Sequence, residues 1–83
     1  MSDTLMCAEY VQRVGYTVID GVRVVQHTCV IPTDNPKGMR ISMTKLNADL
    51  YEKYRDICRK DFAIFEDAAF QLRDKLYLAN IKN

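Results

Sequence analysis

The dipeptide Asp20-Gly21 constrains this chain more than any other feature. It stands between two runs rich in β-branched residues, Val11 to Ile19 and Val22 to Ile31. Both central residues of a two-residue type I′ turn take positive φ, which Gly adopts freely and Asp tolerates. The spacing therefore predicts a β-hairpin, and the turn sets which residues face each other. Val18 falls opposite Arg23, Tyr16 opposite Val25, Val14 opposite His27, Gln12 opposite Cys29 and Tyr10 opposite Ile31. These ten share one side of the pleat, and seven of them are apolar, so that side reads as the core face. The other side carries Val11, Arg13, Gly15, Thr17 and Ile19 with Val22, Val24, Gln26, Thr28 and Val30, and reads as half-solvated.

Pro32 to Gly38 is rich in turn formers, and its two prolines cannot donate to a ladder. Met39 to Lys45 then alternates strictly. Placed antiparallel beside the second strand, Met39, Ile41 and Met43 continue the core face. The outer face then presents Arg13, Thr17, Gln26, Thr28, Arg40, Ser42 and Thr44.

From Ala48 to Asn83 there is no Gly or Pro. Asn47 suits an N-cap, and Asp49 suits the positive end of a helix dipole. Tyr51, Tyr54, Cys58, Phe62, Phe65, Ala69, Leu72, Leu76 and Ala79 recur at spacings of three and four, a seam that packs on the sheet. A helix of about 33 residues would span ~50 Å, longer than a domain of this size is wide. Either it breaks near Arg59-Lys60-Asp61, with Asp61 capping a second segment, or it projects. A second ridge, Ala63, Phe70, Tyr77 and Ile81, lies about 120° around the helix from the seam. One sheet cannot bury both.

The expected architecture is thus α+β: a three-stranded antiparallel sheet followed by one long or once-broken C-terminal helix packed on one face. Residues 1–83 form a single domain, with a flexible lead over 1–8, the sheet over 9–46 and helix over 47–80. Twelve basic against eleven acidic residues leave a net charge of +1, which gives no global case for nucleic acid or an acidic membrane. The N-terminus lacks the basic and apolar regions of a signal peptide, and no window is apolar enough to span a bilayer. Three cysteines, Cys7, Cys29 and Cys58, are odd in number and read as reduced thiols in the cytoplasm.

Catalysis has no visible carriers. The single histidine, His27, falls on the core face of a strand and reads as structural. A metal site of His27 and Cys29 with Cys7 or Cys58 lacks any zinc-ligand spacing and is set aside. Three scattered glycines exclude a phosphate-cradling loop. No cofactor is expected.

Two functional readings remain. The first is a non-catalytic protein that docks on another protein or on itself as a homo-oligomer, of the inhibitor or accessory type used by phages and mobile elements. Its contact surface is the second ridge, Ala63, Phe70, Tyr77 and Ile81 with Arg73 at the margin, or else the outer sheet face. The second rests on Met39-Arg-Ile-Ser-Met-Thr-Lys-Leu-Asn-Ala-Asp-Leu-Tyr-Glu-Lys-Tyr54, which resembles the opening of ribbon-helix-helix proteins. That resemblance covers about half the chain. It implies a dimeric DNA-binding regulator with Arg40, Ser42 and Thr44 reading bases. It ranks second because the two preceding strands compete for the ribbon's edge.

Overall fold

The computed structural model describes residues 9–82, and the side chains of residues 9–78. The expected lead over 1–8 and the side chains of Ala79 and Ile81 lie outside the described residues. Three antiparallel strands, β1 (Tyr10–Ile19), β2 (Val22–Pro32) and β3 (Arg40–Lys45), form one sheet in that order. A short 3₁₀ turn, Pro36–Gly38, links β2 to β3. Two helices follow, α1 (Ala48–Lys53) and α2 (Arg55–Lys82). This is the α+β arrangement expected from the sequence.

The hairpin turn forms as anticipated. Asp20 and Gly21 have φ of 50° and 79°, and Ile19 faces Val22. The register beyond it does not follow. Val18 faces Arg23, but Thr17 faces Val25, so Val24 is an extra residue on β2, a β-bulge. From that point every pairing on β1 moves by one, and the strand turns its other side to the core. Val11, Gly15, Thr17 and Ile19 lie under the helix. Tyr10, Val14, Tyr16 and Val18, expected in the core, stand exposed on the opposite face. Beyond the bulge β2 keeps its expected side, as does β3, with Val25, Cys29 and Ile31 fully buried and Met39, Ile41 and Met43 packed beside them; at the bulge Val24, expected half-solvated, is fully buried, and Arg23, expected on the core face, is exposed.

The bulge also ties sheet to helix. The Val24 carbonyl accepts from the amides of Leu46 (2.8 Å) and Asn47 (3.1 Å). Asn47 then caps α1, its Oδ1 accepting from the Leu50 amide at 3.0 Å. The helical segment breaks at Tyr54, where φ is −118°, and not near Asp61. Asp61 lies inside α2, so it caps nothing. Past the break α2 runs unbroken for 28 residues, about 42 Å at 1.5 Å per residue. It dominates the 53 Å long axis of the molecule.

The seam residues face the sheet. Val24, Val25, Tyr51 and Cys58 form one apolar cluster near the hairpin turn. Cys29, Ile31 and Ala69, with Phe65, Leu72 and Leu76 against them, form a second farther along. The bulge sends Tyr16, read from the sequence as a core-face residue, to the side away from this seam. Phe65 instead lies over Gly15, where an added Cβ would sit 3.3 Å from its ring.

Two stability outcomes follow from these positions. Gly21→Val puts a β-branched residue at φ of 79° and should lower stability by roughly 1 kcal/mol or more, read from the thermal midpoint. Gly15→Val should cost about 1–3 kcal/mol by overpacking against Phe65, whereas Val14→Thr, one residue away on the open face, should leave the midpoint nearly unchanged.

Candidate functional site

Between the two apolar clusters sits a buried polar chain. Thr17 and His27 are 1% and 2% exposed. The Thr17 hydroxyl donates to Asp61 Oδ2 at 2.8 Å and lies 2.8 Å from His27 Nε2. A hydroxyl has one proton, so with that proton given to Asp61 it accepts from His27 Nε2–H. The neutral ring is then the Nε2–H tautomer, and Nδ1 is a buried acceptor without a partner. Phe62 and Phe65 flank the imidazole with centroids at 5.7 and 5.6 Å. Burial lowers the His27 pKa from its ordinary 6.5, partly opposed by the charge of Asp61. Burial, with Asp61 adding to it, raises that of the Cys58 thiol.

This chain of groups has the residue types of hydrolytic sites but not their order. The hydroxyl lies between acid and imidazole, so the imidazole is not oriented by the carboxylate as a general base requires. Thr17 is also closed to solvent. The arrangement holds β1, β2 and α2 together and offers no nucleophile. Among the described residues no group of three or more His, Cys, Asp or Glu side chains could hold a metal ion. Cys29 and Cys58 are buried free thiols, and Cys7 lies outside the described residues. No described helix is long and apolar enough to cross a membrane.

The surface residues selected from the sequence divide into two groups. On the helix, Ala63 is exposed, and Phe70 and Tyr77 are 39% and 36% exposed. Each ring already carries a cation of its own chain. The Arg73 guanidinium lies 4.7 Å over Phe70 while pairing with Asp74 at 3.0 Å, and Lys37 Nζ lies 5.0 Å over Tyr77.

On the sheet, β3 pairs with β2 so that Gln26 faces Thr44, Thr28 faces Ser42 and Val30 faces Arg40. Gln26, Thr28, Arg40, Ser42 and Thr44 therefore come together on the outer face as expected. Arg13 and Thr17 do not join them: the bulge carries both to the helix side. In their place the outer face gains Tyr10 (59% exposed), Val18 (54%), Val14 (43%) and Tyr16 (40%), with Arg23 over the Tyr16 ring at 4.3 Å. Sequence reasoning missed these four because it applied strict alternation through Val24-Val25. That apolar doublet was the available signal of a bulge, since alternation would put one of its members in water.

No protein-family model matches the chain, and neither the curated proteins nor the solved structures contain a significant match to it.

The His27 geometry sets a pH response. The folded chain resists a proton that the unfolded chain accepts below its ordinary 6.5. The resulting stability is fully present above that pH and declines as the pH falls below it. Urea midpoints should therefore drop between about pH 7.5 and about pH 5, and His27→Gln should flatten the difference. Thr17→Val, which strips the ring N–H of its acceptor, should cost about 1–3 kcal/mol at neutral pH.

Proposed function

We propose that the chain is a non-catalytic protein-binding module whose docking surface is the uncovered face of its sheet. The observation that carries this reading is the composition of β1 on that face. In an antiparallel sheet packed on one side, the solvated side is normally polar. β2 and β3 obey this with Gln26, Thr28, Ser42 and Thr44, whereas β1 presents Tyr10, Val14, Tyr16 and Val18. Tyrosines beside arginines, here Tyr16 with Arg23, are the residue types that dominate protein interfaces. The second ridge fits the role less well, since its rings, Phe70 and Tyr77 at 39% and 36%, are less exposed than Tyr10 at 59% and Val18 at 54%.

Docking of this kind suits an inhibitor or accessory protein, the type found in phages and mobile elements, acting in the cytoplasm, where buried free thiols such as Cys29 and Cys58 persist. The DNA-binding reading has weaker support. β2 already takes one edge of β3, and Arg23 and Arg40 are the cations its outer face brings forward.

The test is affinity capture from the native cytosol with mass spectrometry, comparing the parent chain with a Thr28→Glu, Arg40→Glu variant of equal thermal midpoint. The expected result is one specific protein held by the parent and released by the variant. Retention by that variant and loss on Phe70→Asp, Tyr77→Asp would place the site on the helix ridge instead. Salt-sensitive binding to arbitrary duplex DNA, from counterion release, would favour the nucleic-acid reading.

A further inference from the structure

The sheet face away from α2 carries no described element, and its charge has one sign. Of the side chains that the three strands turn to that side, Arg23 and Arg40 are charged and none is acidic. Neither arginine has a carboxylate partner among the described residues, where the ion pair is Arg73 with Asp74. Arg23 is held on the face by the Tyr16 ring, 4.3 Å beneath its guanidinium. It stands beside Val18 at the hairpin turn, whereas Arg40 stands beside Val30 toward the other end of the sheet. About six strand steps of ~3.3 Å set the two roughly 20 Å apart. Between them the face is uncharged, apolar along β1 at Val14, Tyr16 and Val18 and hydroxylic along β3 at Ser42 and Thr44.

Such a face restricts the form of what covers it. The main-chain donors and acceptors of a sheet lie in its plane, so its face offers an occupant none. An extended segment laid there would leave its own backbone groups without partners, whereas a helix satisfies them internally. Strands ~4.8 Å apart put β1 and β3 about 10 Å from each other, the width of one helix. The opposite face of this sheet is covered in that way by α2.

We propose that the occupant is a helix of another protein with an acidic residue toward each end of its apolar stripe. Its carboxylates meet Arg23 and Arg40, and its apolar side chains lie over Val14, Tyr16 and Val18. A span of roughly 20 Å corresponds to about 14 helical residues, or four turns, which brings both acids to one side of the helix. The assignment rests on the sheet-face reading and adds the partner's chemistry. A second copy fits less well, because the exposed side of α2 mixes Lys60 and Lys75 with Asp67 and Asp74. A single-stranded nucleic acid would bring several phosphates across the same span to two cations, and the valines of β1 offer its bases no stacking plane.

The test uses the full chain, isotope-labelled for NMR, and two synthetic helical peptides of about 20 residues. Both carry one leucine stripe, with either Glu or Lys at two positions about 14 apart. The Glu peptide should shift amides of β1 and β3, and the Lys peptide should bind about tenfold more weakly or worse. Arg23→Glu, Arg40→Glu should reverse that preference. Arg23→Gln, Arg40→Gln should remove it, each variant keeping the parent's circular dichroism spectrum. Equal binding of the two peptides to the sheet face overturns the acidic helix and leaves the sheet-face reading standing. Absence of binding by either peptide also overturns the acidic helix alone, since partner capture tests the face independently. Shifts confined to α2 around Phe70 and Tyr77 overturn both. Displacement of the Glu peptide by oligothymidylate, or a doubled chain mass that excludes the peptide, overturns the choice of occupant in favour of a nucleic acid or a second copy.

Discussion

Every side-chain assignment on the first strand depends on the extra residue that β2 carries at Val24. Val24 and Val25 are consecutive and both fully buried, which a regular pleat cannot achieve, since it sends neighbours to opposite faces. The bulge resolves that conflict by doubling two residues against one on β1. It frees the Val24 carbonyl to receive both Leu46 and Asn47, and so sets where β3 ends and where the first helical turn begins. From there α2 is directed along the sheet.

The consequence beneath the helix is a core divided by polar groups. The bulge brings Thr17 and Gly15 under α2 in place of Tyr16 and Val14. Thr17 then bridges His27 and Asp61 between two apolar clusters, and Gly15 leaves space for Phe65 beside the imidazole. Such a chain of buried hydrogen bonds adds little net stability but costs a good deal when broken. Its effect is to favour one placement of the helix: sliding α2 along the sheet would break the Thr17–Asp61 hydrogen bond and leave the half-buried carboxylate without it. The unpaired Nδ1 of His27 is the remaining imperfection in that arrangement, and it makes the core sensitive to protons.

The consequence on the other side is a surface of mixed character. β2 and β3 present hydroxyls and amides, while β1 presents valines and tyrosines next to an edge with outward main-chain groups. An apolar strand face beside an edge that pairs with no described strand is what β-sheet proteins usually avoid. It underlies the proposed docking face. The helix ridge lacks that combination, because its main-chain groups are satisfied within the helix.

Much of this protein was legible in the sequence, wherever the determinant is local. Asp20-Gly21 has one favoured turn geometry, Asn47 one favoured role at a helix start, and the seam from Tyr51 to Leu76 one face that can be buried; all three appear as expected. The alternation of Met39 to Lys45 likewise placed Arg40, Ser42 and Thr44 outward. What the tertiary structure decided is the side on which β1 shows its residues, and with it the surface on which function is proposed. Period-two patterning pointed to the other side, because Tyr10, Val14, Tyr16 and Val18 make the even-numbered side of β1 the more apolar, and a one-residue slip at the bulge exchanges the two sides. The balance was tipped by distant partners: Leu46 and Asn47 for the Val24 carbonyl, and Asp61, 44 residues along the chain, for the Thr17 hydroxyl.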